Sequence, residues 1–268
     1  MTCFANRMKS RVGGLLAAMF LATPSFAQNE PTWTTDDWAA LGELPDWGGI
    51  WLPDIPYQRE QFLQNDTPWT AEAGARIEDM LASKAAGNPY GLFLDCLPLG
   101  MPSWILGSHN ALEFLYTPGR ITMLGELDGN RMRRIYTDGR LHPEYPDLTY
   151  HGHSIGEWEG DTLVVDTVGI LPEVYIAPDG ENIGVRNGGG MHITERIYLS
   201  EPDRLRVDLA IMAPNVLIET WHTTRYYDRL RGPYAEIIEG VCLQANYLDR
   251  LNEEGKTIFV PVPPDERQ

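Results

Sequence analysis

The run Leu205-Arg206-Val207-Asp208-Leu209-Ala210-Ile211 alternates with a period of two, which places Leu205, Val207, Leu209 and Ile211 on one buried strand face. Short runs of strand character recur along most of the chain: 112–116, 120–126, 133–136, 154–158, 162–168, 192–199, 205–212, 219–227 and 234–243, after a first one at 46–52. Pro118-Gly119, Asp128-Gly129, Asp138-Gly139 and Glu159-Gly160-Asp161 punctuate them, which is turn chemistry suited to hairpins of an antiparallel sheet. The single helical pattern runs from Ala71 to Ala85, with Thr70 as cap, Gly87 as stop, and Ile77, Met80 and Leu81 as its apolar face. Residues 28–45 read as an irregular arm, and 95–102 are too proline-rich for regular structure. The Gly-rich stretch 171–191 reads as a long loop, either a lid or an insertion. At least eight strands in chain order, with no repeat of 20–50 residues, predict one all-β, mainly antiparallel domain over 28–268, closed as a barrel or strongly curved.

The first residues change where that domain is expected to work. Arg7, Lys9 and Arg11 precede an apolar stretch from Val12 to Ala22, followed by Thr23-Pro24-Ser25-Phe26-Ala27. This order predicts a secretory signal cut after Ala27, and the apolar stretch is about half of the roughly 20 residues a membrane-spanning helix needs. The mature chain is expected to be periplasmic or secreted. The whole chain has a net charge of −17, and removing three basic residues makes it more acidic still. Such a surface repels phosphate backbones and anionic headgroups, so neither nucleic acid nor membrane is expected as a partner. Two cysteines would remain, Cys96 and Cys242; in an oxidising compartment they suit a disulfide, and neither has a CxxC partner for zinc.

Two motifs carry a family likeness. Arg134-Ile135-Tyr136-Thr137-Asp138-Gly139-Arg140, followed by His142-Pro143, is the first. The second is Gly152-His153-Ser154-Ile155-Gly156 continuing into Trp158-Glu159-Gly160-Asp161-Thr162-Leu163-Val164-Val165-Asp166-Thr167-Val168-Gly169. With Gly100-Met101-Pro102, Thr117-Pro118-Gly119-Arg120 and His192-Ile193-Thr194-Glu195-Arg196, the chain resembles a family of exported bacterial proteins of acidobacteria and sphingomonads. That resemblance implies an exported location and a β-barrel, but no reaction. Gly49-Ile50-Trp51 is similar to the Gly-x-Trp of the calycin (lipocalin-like) barrels, which would enclose a cavity.

The candidate chemistry lies in these motifs. Tyr136, Asp138 and Arg140 are spaced to share a strand face just upstream of His142, where an acid–base group and an arginine clamp for an anion could meet. His151 and His153 are spaced to face the same way, and with His192 could ligate a divalent metal. Glu195 falls on the apolar side of its strand with Ile193 and Ile197, and Asp166 falls with Val164 and Val168. Each is either a paired structural carboxylate or the orienting partner of a histidine. Trp51 and Trp158 offer flat surfaces for an aromatic ligand, and otherwise core packing. Ser154 lacks a nucleophile elbow, and the chain has neither a dinucleotide fingerprint nor a P-loop.

Together these residues predict an enzyme without a nucleotide cofactor, performing lyase- or isomerase-type acid–base chemistry on a small hydrophobic, aromatic molecule. His153 is the expected base, Asp166 or Glu195 its partner, Tyr136 or His192 the acid and Arg140 the clamp, with Trp51, Trp158, Asp138 and His142 contacting substrate. The alternatives are a non-catalytic carrier of a hydrophobic ligand and a metal-dependent hydrolase or oxygenase built on His151, His153 and His192.

Overall fold

The computed structural model describes residues 33–64, 66–86, 97–107, 110–178, 183–240, 247–251 and 257–261, the last two segments through their backbone. The expected signal segment, Cys96 and Cys242 lie outside the described residues. Nine strands close into a barrel: β1 (Ile50–Pro53), β2 (Leu112–Thr117), β3 (Arg120–Gly125), β4 (Met132–Tyr136), β5 (His153–Glu159), β6 (Thr162–Val168), β9 (His192–Glu201), β10 (Arg204–Met212) and β11 (Trp221–Leu230). They neighbour one another in chain order, and β1 closes the ring by pairing with both β2 and β11. Two two-stranded pairs lie outside it, β7 (Tyr175–Ile176) with β8 (Val185–Arg186) and β12 (Tyr247–Leu251) with β13 (Thr257–Pro261).

The strand count has a topological consequence. Directions cannot alternate all the way around a closed ring of nine, so at least one neighbouring pair must run parallel. That pair is β4 and β5; the other eight junctions are antiparallel. A parallel pair cannot be joined by a tight hairpin. Residues 137–152 accordingly form a long irregular crossover between the end of β4 and the start of β5. The pairing it permits is short, Ile135 with Ser154 and Tyr136 with Ile155.

Alternation fills the interior as the hydrophobic pattern requires. Leu163 and Val165, Ile193 and Ile197, and Leu205, Val207, Leu209 and Ile211 are buried together with Trp47, Trp51, Trp104 and Met123. Among the helices, α3 (Ala71–Ala85) has the predicted Thr70 cap, whose hydroxyl accepts from Ala73 N at 3.3 Å, and buries Ala73, Ile77 and Met80, while Leu81 stays exposed. Thr34 and Asp37 form a capping box that starts α1 (Thr35–Ala40), so the arm expected to be irregular carries a helix. Asp54 caps α2 (Ile55–Gln64) by accepting from Tyr57 N; short helices α4 (Ser103–Leu106) and α5 (Leu127–Asn130) complete the set.

Two loop expectations change. The strand expected at 234–243 is irregular over the described 234–240: Gly232-Pro233 separate it from β11, both of whose edges are already occupied by β10 and β1. The stretch 171–191 is packed where it is described: Val174, Ile176, Ala177, Ile183 and Val185 are buried, and Asn187 donates to Leu171 O and Val174 O. No described helix is long and apolar enough to cross a membrane.

Candidate functional site

The polar residues singled out in the sequence gather at the parallel seam. N-terminal to the short β4–β5 pairing the two segments part, leaving a cleft of about 660 Å³. Arg133, Arg134 and Tyr136 line one wall, and His151, His153 and Ser154 line the other. The odd strand count requires such a parallel seam, and here it falls between β4 and β5, where a continuous antiparallel ladder would have closed the wall.

On the outer face at this seam, four side chains form a hydrogen-bonded chain. His153 opens β5, Asp166 lies near the end of β6 and His192 opens β9, so the antiparallel arrangement brings all three to one end of the barrel. Asp166 pairs in register with Thr194, which makes His192 its diagonal neighbour, within side-chain reach. His192 Nε2 bonds Asp166 Oδ1, and His142 Nε2 lies 3.1 Å from Asp166 Oδ2. His142 comes from the crossover and fills the diagonal gap between Asp166 and His153, with Nδ1 2.8 Å from His153 Nδ1.

Proton positions follow from this connectivity. A carboxylate can only accept, so Nε2 of both His142 and His192 carries hydrogen. The contact between the two Nδ1 atoms needs one proton; carried by His153, it makes His142 Nδ1 the acceptor. That leaves His153 Nε2 as the unprotonated nitrogen of the only one of these four side chains that lines the cleft. Partial burial, then the neighbouring His142 and Arg140, lower the His153 pKa from 6.5, which keeps the ring neutral at physiological pH.

Tyr136 stacks on His153 with ring centroids 5.4 Å apart and planes inclined by 25°. The Arg140 guanidinium lies 3.9 Å from the Tyr136 ring centre and is held by both carboxylate oxygens of Asp138. Hydrogen bonding from Arg140 holds the Asp138 carboxyl below its ordinary range. Strand β4 ends at Tyr136, so Asp138 and Arg140 meet Tyr136 through a turn at Gly139 rather than by strand alternation. Arg140 is thus engaged with Asp138 and Tyr136, and does not present the free clamp that the spacing suggested.

Other expectations are corrected. Glu195 points into the barrel, away from the histidines, and is wholly buried against Arg133. Arg133 Nη1 donates to Glu195 Oε1 at 2.9 Å, Nη2 to Oε2 and to Thr167 Oγ1, and Nε to Ser154 Oγ, so this network ties β4, β5, β6 and β9 together from inside. Asp166 is on the opposite, half-exposed face rather than in an apolar interior. Trp51 is fully buried and donates to Trp47 O; Trp158 packs on Trp47, and neither lines the cleft. His142, expected to contact substrate, is instead the central link of the chain.

His151 also departs from the alternation expected of it. Its ring packs edge-on against the buried Trp104, at 5.1 Å, because the strand begins only at His153 and Gly152 reverses the chain at φ +70°. A Cβ at Gly152 would approach Val168 O to 2.6 Å, so no other residue fits that bend. His151, His153 and His192 therefore do not converge as a metal triad. Among the described residues, no group of three or more His, Cys, Asp or Glu side chains is arranged to hold a metal ion.

Arg133, Arg134 and the cleft placement of His151 were missed by the sequence reading. The available signal was Arg133-Arg134 itself, adjacent cations on a strand, of which alternation must bury one and expose the other. No protein-family model matches the chain, and no curated protein sequence matches it.

Proposed function

We propose that the seam cleft is the active site of an acid–base enzyme of lyase or isomerase type, acting on a small hydrophobic, aromatic molecule. The observation that carries this is the hydrogen-bonded chain His153–His142–Asp166–His192, with its His153 end at the cleft and Nε2 of that ring uncommitted within the chain. His153 Nε2 takes a proton from an activated C–H of the substrate. The positive charge that results is spread through His142 towards the Asp166 carboxylate, as a base with an oriented partner requires. The electron pair left on the substrate either takes a proton back at a second carbon or expels a leaving group. Tyr136 lines the cleft beside His153 and is the acid for the second course; His192 is bonded to Asp166 and stabilises the chain from its far side.

The aromatic preference is supported by the rings of Tyr136 and Tyr150 in the cleft lining. The basic, then apolar, then small-residue order of the first 27 residues supports export, and hence work in the periplasm or outside the cell.

The test is exchange of substrate hydrogen for deuterium in D₂O, followed by NMR across a panel of aromatic and alicyclic compounds with activated C–H bonds. The wild-type protein is expected to catalyse exchange in at least one structural class. His153→Gln is expected to reduce it by about 10²-fold or more while unfolding as the wild type does. Binding of the same compounds without exchange would point to a carrier, and exchange undiminished in His153→Gln would remove His153 from the mechanism.

A further inference from the structure

We infer that the cleft selects an organic anion, a small aromatic or alicyclic carboxylate whose carboxylate is held by the Arg134 guanidinium. The acid–base reading above enters only in placing the reacting carbon at His153; the anion site rests on separate observations.

The first is a local inversion of charge. The chain as a whole carries −17, yet beyond the Glu195-paired Arg133 the described lining of the cleft contains Arg131 and Arg134 against a single carboxylate, Asp147. A basic cleft in an acidic protein concentrates anions where the surrounding surface repels them. The second is the state of Arg134. Arg133 is spent on Glu195, whereas Arg134 has no hydrogen-bond or ion-pair partner among the described residues. Its planar fork matches the two oxygens of a carboxylate.

Geometry connects this cation to the base. Arg134 and Tyr136 are two apart on β4 and project from the same face, about 7 Å apart along the strand. An anion on Arg134 therefore leaves the body of a small ring compound beside Tyr136, whose ring stacks on His153 and carries the Arg140 guanidinium. His151 is a separate sign of a polar ligand. Both its ring nitrogens are buried without a hydrogen-bond partner, and it lines the cleft. Burial, together with Arg133 and Arg131, lowers its pKa to about 4, so it presents a neutral imidazole with one N–H to offer an acceptor.

The experiment is calorimetric titration of the full-length protein with 2-naphthoate, 2-naphthamide and 2-naphthyl phosphate, three probes sharing one ring system. Naphthoate is expected to bind about tenfold or more tightly than the neutral amide, with the preference shrinking as salt is raised. Arg134→Gln, an exposed position, is expected to weaken naphthoate about tenfold and leave the amide within about twofold. Absence of naphthoate binding at about 1 mM, equal affinity for acid and amide, or an unchanged Arg134→Gln would each overturn the anion site. Phosphate binding about tenfold tighter than naphthoate would overturn the carboxylate assignment. His153→Gln is expected to bind naphthoate within about threefold of wild type, so that loss of hydrogen exchange with retained anion binding distinguishes failure of the one reading from failure of the other.

Discussion

His153 and Ser154, and Asp166 and Thr167, are chain neighbours that lead into two different polar assemblies on opposite faces of one barrel wall. Inside, Arg133, Ser154, Thr167 and Glu195 are almost wholly shielded from solvent and bonded to one another. Outside, His153, His142, Asp166 and His192 are part-buried, and their chain ends on an uncommitted nitrogen beside a cleft. Both contain a carboxylate and several donors, so composition does not separate them. Closure does: a satisfied network shielded from water fixes strand positions, whereas a titratable chain with an open end can pass a proton.

The largest expected effect breaks the inner network. Glu195→Ala leaves the Arg133 charge buried and unpaired, and is expected to cost about 3–5 kcal/mol in denaturant unfolding. Replacing both partners with apolar residues, Arg133→Met with Glu195→Leu, is expected to recover most of that loss. A Glu195→Ala protein of wild-type stability would contradict a structural role for the pair.

Next in size is the response to acid at His151, which lines the cleft and packs against Trp104. Its folded pKa of about 4 lies below the unfolded value near 6.5, so the fold favours the neutral ring. Its contribution to stability is full above pH 6.5 and falls as pH drops from 6.5 to about 4, by roughly 2–3 kcal/mol. His151→Phe is expected to flatten unfolding free energy across that window, and an unaltered acid slope would show that the ring is not a buried neutral imidazole.

The outer chain should respond in rate rather than stability. Asp166→Asn is expected to lower hydrogen exchange about 10–100-fold with less than about 1 kcal/mol change in unfolding, because the side chains it holds are part-exposed. A large stability loss with unchanged exchange would place the outer chain in the same class as the inner one. The smallest effect is electrostatic. Arg140 lowers the His153 pKa, so Arg140→Gln should raise it and move the acid limb of the exchange rate upward toward pH 6.5. A limb that moves the other way, or stays in place, would separate that limb from His153.

The same wall shows what the sequence can and cannot express. Period-two alternation placed Leu205, Val207, Leu209, Ile211 and Ile193 in the core, because side chains on a pleated strand have only two directions. On β6 it assigned the wrong face to the interior, where Val165 rather than Val164 is buried. It put Glu195 on the inner face correctly but could not name Arg133, 62 positions earlier in the chain, as its partner. It failed for His151 and His153, since alternation applies only inside a strand and the strand starts after Gly152. His142, in an irregular crossover, carries no periodic signal, and only the closed ring brings it between His153 and Asp166. The cleft itself depends on the ring closing with nine strands, a property of the whole chain that no local window contains.

The most direct test of the outer chain is a two-dimensional ¹⁵N–¹H correlation of the histidine side chains near pH 7.5, assigned with single substitutions. The hydrogen-bond pattern predicts His153 protonated on Nδ1 with Nε2 bare, and His142 and His192 protonated on Nε2. His153 protonated on Nε2 at that pH, with Nδ1 bare, would leave the cleft without its base and contradict the relay.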